Sequence, residues 1–97
     1  MPPVDMPNQR ALGTHLADFQ ERFNLHSLAS LARVLGTAVA TARTLVMGQG
    51  VPRDATLYQL AARMNDHAES KGHPWRTSFD ELRAARDLDA ARAREAS

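Results

Sequence analysis

The chain has 97 residues, with twelve Lys and Arg against eleven Asp and Glu for a net charge of +1, 43% apolar content and no cysteine. That length bounds the protein to one small domain with room for an appendage, and the lack of cysteine excludes a disulfide framework and any thiolate metal site. No apolar stretch approaches the ~20 residues of a membrane-spanning helix, and "MPPVDMPNQR" lacks the basic start and apolar middle of a signal peptide, so the expectation is a cytoplasmic protein with no membrane partner.

Eleven leucines against five aromatics suit small helices. Residues 1–8 hold three prolines without apolar periodicity, and a flexible N-terminal arm is expected there. Asn8 can cap a first helix in which Leu12, Leu16, Phe19 and Phe23 share one face, with Asn24 as its stop. Ser27 can cap a second helix that turns Leu28, Leu31, Ala32 and Leu35 inward and ends at Gly36. A third helix starts at Thr37 or Ala38, with Thr37 the better cap chemically. Its inner side is Ala38, Ala42 and Leu45, and Gly48 stops it.

"GQGVPRD" is a turn, since two glycines and a proline block helix continuation. A fourth helix starts near Asp54, carries Leu57, Leu60, Ala61 and Met64 on one face, and stops at Gly72. "HPWRT" is a linker whose Trp75 is expected to lie against the domain. "SFDE" at 78–81 fits a capping box and opens a charged fifth helix whose apolar positions are Phe79, Leu82, Ala85 and Leu88. The pattern contains no strand, repeat or glycine-rich phosphate loop.

Charge is unevenly spread. Residues 25–65 hold Arg33, Arg43, Arg53 and Arg63 against Asp54 alone, a basic island of +3 between flanks that are each −1. His15, His26, His67 and His73 show no i, i+4 pair and no acidic ligand at zinc spacing, so they are expected at the surface and no metal or other cofactor is expected. No nucleophile turn accompanies a Ser, His and Asp set, and no enzyme activity is expected.

Leu31-Ala32-x-x-Leu35-Gly36, followed by Gly48, Pro52 and "TLYQLA", resembles the Xre-type helix-turn-helix of phage-repressor-like (lambda-repressor-like) regulators over residues 10–66. The resemblance implies an all-α, compact four- to five-helix domain at 9–72 with a C-terminal helical extension at 73–97. It also implies that the second helix of the pair enters the DNA major groove. By position the contacts implied are Thr37, Val39, Ala40, Thr41, Arg43 and Thr44, with Arg33, Gln49 and Arg53 toward phosphates. Of these, Arg43 alone can make a bidentate contact to guanine, Thr44 is the next polar reader, and Val39 and Ala40 favour a thymine methyl.

The chain departs from the family pattern in three places. Val39 and Ala40 stand where Gln, Ser or Arg is frequent, Val46 stands where an acidic residue is frequent, and one extra residue lies around Leu25–His26. The function implied is a small dimeric repressor on a palindromic operator, in a phage, plasmid or toxin–antitoxin type of circuit and nucleoid-associated when bound. Trp75, Phe79 and Leu82 are the candidate dimerisation residues. The alternative is an interaction module that uses the same fold to bind a protein, favoured by the apolar Val39, Ala40 and Met47.

Overall fold

The computed structural model describes residues 11–47 and 51–96. They form five helices: α1 (Ala11–Arg22), α2 (Leu28–Leu35), α3 (Val39–Met47), α4 (Asp54–Ser70) and α5 (Phe79–Ala96). No strand occurs among the described residues, and the architecture is all-α. The expected arm at 1–8, the Asn8 cap, the Gly48 stop and Gln49 lie outside the described residues.

Three helices end by one device. Asn24, Gly36 and Gly72 take left-handed backbone conformations, with φ of 60°, 71° and 64°. In each case the next amide reaches back to a carbonyl five residues earlier: Leu25 to Gln20, Thr37 to Ala32 and His73 to Ala68. This closure satisfies carbonyls that a helix end would leave open, and it tolerates Gly or Asn where other side chains are strained. At the start of α2, Ser27 Oγ accepts from the Ser30 amide at 3.0 Å. Thr37 does not cap α3: its hydroxyl donates to the Ala38 carbonyl, and the helix begins only at Val39. Ala38 is consequently solvent-exposed instead of inward.

The core collects the faces that the periodicity selects. Leu16, Phe19, Leu31, Leu35, Leu57, Leu60, Met64 and Leu82 are almost completely buried. Leu82 belongs to α5, so the C-terminal helix is part of the core and not an appendage to it. Its inward positions also differ from expectation, because Leu88 is 46% exposed and Asp89 takes the inner place. The Asp89 carboxylate accepts the amides of Ala11 (2.6 Å) and Leu12 (3.1 Å), capping α1 from 77 and 78 residues away. A carboxylate at a helix N-terminus is favoured by both the open amides and the helix dipole.

A second long-range tie holds the segment between α4 and α5. Asn65 on α4 donates Nδ2 to the Thr77 carbonyl and accepts the Thr77 amide at Oδ1, at 2.9 and 2.8 Å. Thr77 is buried, and its hydroxyl also meets His15 Nε2 at 2.8 Å and Glu81 Oε2 at 3.3 Å. Only half of the capping box forms: the Glu81 amide donates to Ser78 Oγ, while the Glu81 carboxylate turns to Thr77.

Trp75 lies between α1 and this segment, 5.1 Å from the Phe19 ring and 5.9 Å from His15. Phe23, His67 and His73 complete the cluster. Three of the four histidines are therefore half-buried and not superficial, because each finds an aromatic or hydrogen-bonding neighbour there; His26 alone is exposed. His73 Nδ1 accepts the Trp75 amide. His67 Nε2 is buried with no hydrogen-bond partner among the described residues, and burial, aided by Lys71, lowers the imidazole pKa below 6.5.

Two outcomes follow for stability. Replacing Asn65 with Ala strands the buried amide and carbonyl of Thr77, and should cost about 2–3 kcal/mol in denaturant unfolding. For His67, the folded form releases its proton more readily than the unfolded chain. Below about pH 6.5 the unfolded state therefore binds the extra proton, and stability falls as pH drops toward the folded pKa. The melting temperature should decline over that window less steeply in His67→Leu than in the wild type, and parallel curves would contradict the assignment.

Candidate nucleic-acid interface

Helix α3 is short and held from beneath. Ala42 is fully buried and Leu45 nearly so, and both reach the core beside α2. The α1 backbone comes close at Gly13, where a Cβ would overlap the Val46 carbonyl oxygen. The missing side chain therefore lets the α1 backbone sit directly on that of α3. An isolated glycine inside an amphipathic helix is the signal by which the sequence marks this crossing.

With its inner side fixed, α3 turns the rest outward. Val39, Ala40, Thr41, Arg43 and Met47 are all exposed, Val39 and Met47 by 50% and 48%. At about 100° per residue, Ala40, Thr44 and Met47 fall on the crest opposite Ala42 and Leu45. Val39 and Arg43 flank the crest on one side and Thr41 on the other. Thr44 is a weaker polar reader than the sequence suggested, because its hydroxyl donates to the Ala40 carbonyl at 2.9 Å. Its remaining offer is lone pairs and a methyl.

Beside α3 runs an open groove of about 480 Å³. Thr41, Thr44 and Leu45 form one wall, and Val51, Pro52, Arg53 and Thr56 the other. Val51 is 65% exposed. Arg53 thus joins the α3 residues around a single depression. Arg33, on α2, is exposed, and Arg63 rests its guanidinium against Gly36, at the negative end of α2. Thr37 sits in the turn itself.

Among the described residues, Arg33, Arg43, Arg53 and Arg63 have no carboxylate within ion-pairing distance. Asp54 is engaged instead by Arg86 of α5, which also donates to the Pro52 carbonyl at 3.2 Å. Asp87 pairs with the same guanidinium at 2.9 Å. The hydrogen bond to Asp54 raises the Arg86 pKa above its ordinary value. One arginine thus neutralises the acid at the start of α4 and fixes the groove's far wall. Sequence reasoning missed both Arg86 and Val51, since nothing local links residue 86 to residue 52.

The candidate pairing residues divide differently. Leu82 is fully buried in the chain's own core, whereas Trp75 is half-buried where it packs on α1. Phe79 is half-buried beside Tyr58, which is 69% exposed, and lies under the Arg83 guanidinium. Among the described residues no helix is long and apolar enough to cross a membrane. The chain matches no protein-family model, and no curated protein or solved structure is detectably similar to it.

The Gly13 crossing can be tested directly. Alanine favours a helix interior over glycine by about 1 kcal/mol. At position 13 the backbone overlap should reverse the sign, so that Gly13→Ala lowers stability by about 1–3 kcal/mol. Amide resonances of Leu45 and Val46 should shift with it, and a stabilised variant with unmoved resonances would rule out the close approach.

Proposed function

We propose that the chain is a sequence-specific double-stranded DNA-binding regulator of the phage-repressor-like helix-turn-helix type, acting as a small dimeric repressor in the cytoplasm. The observation that carries the reading is the division of α3: Ala42 and Leu45 are sealed against the core while Val39, Ala40 and Arg43 are left to solvent. A helix anchored in this way after a tight turn can enter a major groove without unfolding its support. Arg33, Arg43, Arg53 and Arg63, without a carboxylate partner among the described residues, supply a field for phosphate, and the capture of Asp54 by Arg86 keeps that field from being cancelled locally.

In this reading Arg43 contacts a guanine edge, and Arg33, Arg53 and Gln49 contact phosphates. A two-fold operator would set two copies of α3 about one DNA turn, ~34 Å, apart. Such a dimer would pair through a surface that excludes Leu82, which serves the chain's own core.

A second reading has its own observation. Val39, Met47 and Val51 are large apolar side chains on α3 and the segment after it, and all are strongly exposed. A patch of that kind also suits a protein partner. The two readings separate on one experiment: selection of bound duplexes from a random pool at two salt concentrations, with wild type and Arg43→Ala. Repression by DNA reading requires a selected sequence, affinity that weakens with salt, and a loss of about 1–3 kcal/mol in the folded variant. Selection of no sequence, with no salt dependence, would favour the interaction module.

A further inference from the structure

The groove beside α3 brings together three polar groups that the chain itself does not use. Arg53 has no carboxylate in ion-pairing reach among the described residues, because the neighbouring Asp54 is taken up by Arg86. Thr41 on the α3 wall and Thr56 on the α4 wall make no hydrogen bond among the described residues, whereas the Thr44 hydroxyl is turned back on Ala40. Thr56 is left over for a reason. A helical threonine ordinarily donates to the carbonyl four residues earlier, and here that carbonyl, of Pro52, already accepts from Arg86. The remaining lining is apolar, from Leu45, Val51 and Pro52. Arg43 lies on the opposite flank of α3 and takes no part.

This lining restricts the occupant. A wholly apolar group would strip water from Arg53 and two hydroxyls and return no hydrogen bond. An inorganic anion would leave Leu45, Val51 and Pro52 wet. An extended peptide would find no free backbone at 52–53: Pro52 has no amide hydrogen, its carbonyl accepts from Arg86, and the Arg53 carbonyl accepts from the Leu57 amide. A small molecule with one anionic head and a short apolar body satisfies every part. The volume of about 480 Å³ lies within the roughly 300–1,000 Å³ of small-ligand clefts.

We propose that this groove binds a small amphiphilic carboxylate. One guanidinium balances one charge, and its fork of N–H groups matches the two oxygens of a carboxylate. Thr41 and Thr56 donate to the same head, while the apolar body covers Leu45, Val51 and Pro52. A regulatory consequence follows, and it alone rests on the DNA-binding reading above. The bound head takes Arg53 away from phosphate, so the ligand releases the chain from DNA.

The test is a titration of the full chain followed by amide NMR at matched ionic strength, with hexanoate, acetate and hexanol as probes. Hexanoate should shift the amides of Thr41, Leu45, Val51 and Thr56. It should bind about tenfold tighter than acetate, which lacks four methylenes. Over hexanol, which lacks the charge, the advantage should be about two- to fivefold. Arg53→Gln should erase the advantage over hexanol, and Val51→Ser most of the advantage over acetate; both residues are exposed and outside the helices, so the core is untouched. Equal binding of the three probes, or shifts scattered away from the groove, would overturn the site. Against a duplex recovered by selection, saturating hexanoate should weaken DNA binding by the wild type more than by Arg53→Gln. Unchanged DNA binding there overturns the competition while the site stands. Recovery of no preferred duplex overturns the DNA reading and leaves the site to be decided by the probe titration.

Discussion

The contact between α1 and α3 at Gly13 governs the rest of this structure. A nine-residue helix is too short to be stable alone, and α3 offers the core only Ala42, Leu45 and part of Val46. So little buried surface can hold a helix only if the neighbouring backbone comes very near, which the missing side chain at position 13 allows. The outward face of α3 is then released from any structural duty. Its exposed valine and methionine are affordable because the inner face and the Gly13 crossing already fix the helix.

Electrostatics builds on this frame through α5. The basic island contains one acid, Asp54, placed at the N-terminus of α4 where the helix dipole welcomes it. Left free, it would lie beside Arg53 and weaken the attraction for an anion. Arg86 reaches over from α5, takes up Asp54 and holds the Pro52 carbonyl, while Asp87 orients the guanidinium. Arg86 itself is mostly sheltered, its side chain 14% exposed. The C-terminal helix is thus tied to both ends of the chain's logic, since Asp89 caps α1 and Arg86 sets the groove wall.

Local signals in the sequence located the helices well. Ser27, Gly36 and Gly72 mark the ends the structure gives them, because capping and left-handed turns depend on residues a few positions apart. The core of α1, α2 and α4 was legible for the same reason, since one helical period fixes which side chains share a face; of the inward positions expected on α2, Leu31, Ala32 and Leu35 are buried and Leu28 is only half-buried. α5 was harder. Its pattern pointed Leu88 inward, yet a carboxylate at 89 gains two amides of α1, and a leucine has nothing comparable to gain at that place. Ties spanning 77 residues, or the 34 between Arg86 and Pro52, leave no trace in a window of ten. The outer residues of α3 were visible by position, but the state of the Thr44 hydroxyl was not.

That hydroxyl changes how the candidate interface works. On a reading helix, donors and acceptors at the crest report base identity, while methyls and methionines report shape. Here the crest is Ala40, Thr44 and Met47, with the one hydroxyl proton bonded back to the helix. In the proposed DNA-binding reading, hydrogen bonding to bases would fall to the flanks, at Arg43 and Thr41. A chain built this way would hold DNA through charge and choose among sequences through apolar fit. The discrimination available at each base pair is then modest, because burial of a methyl contributes only ~0.8 kcal/mol. In that reading selectivity would come from adding several such contacts, and a second copy on a two-fold site would double the number of weak choices made at once.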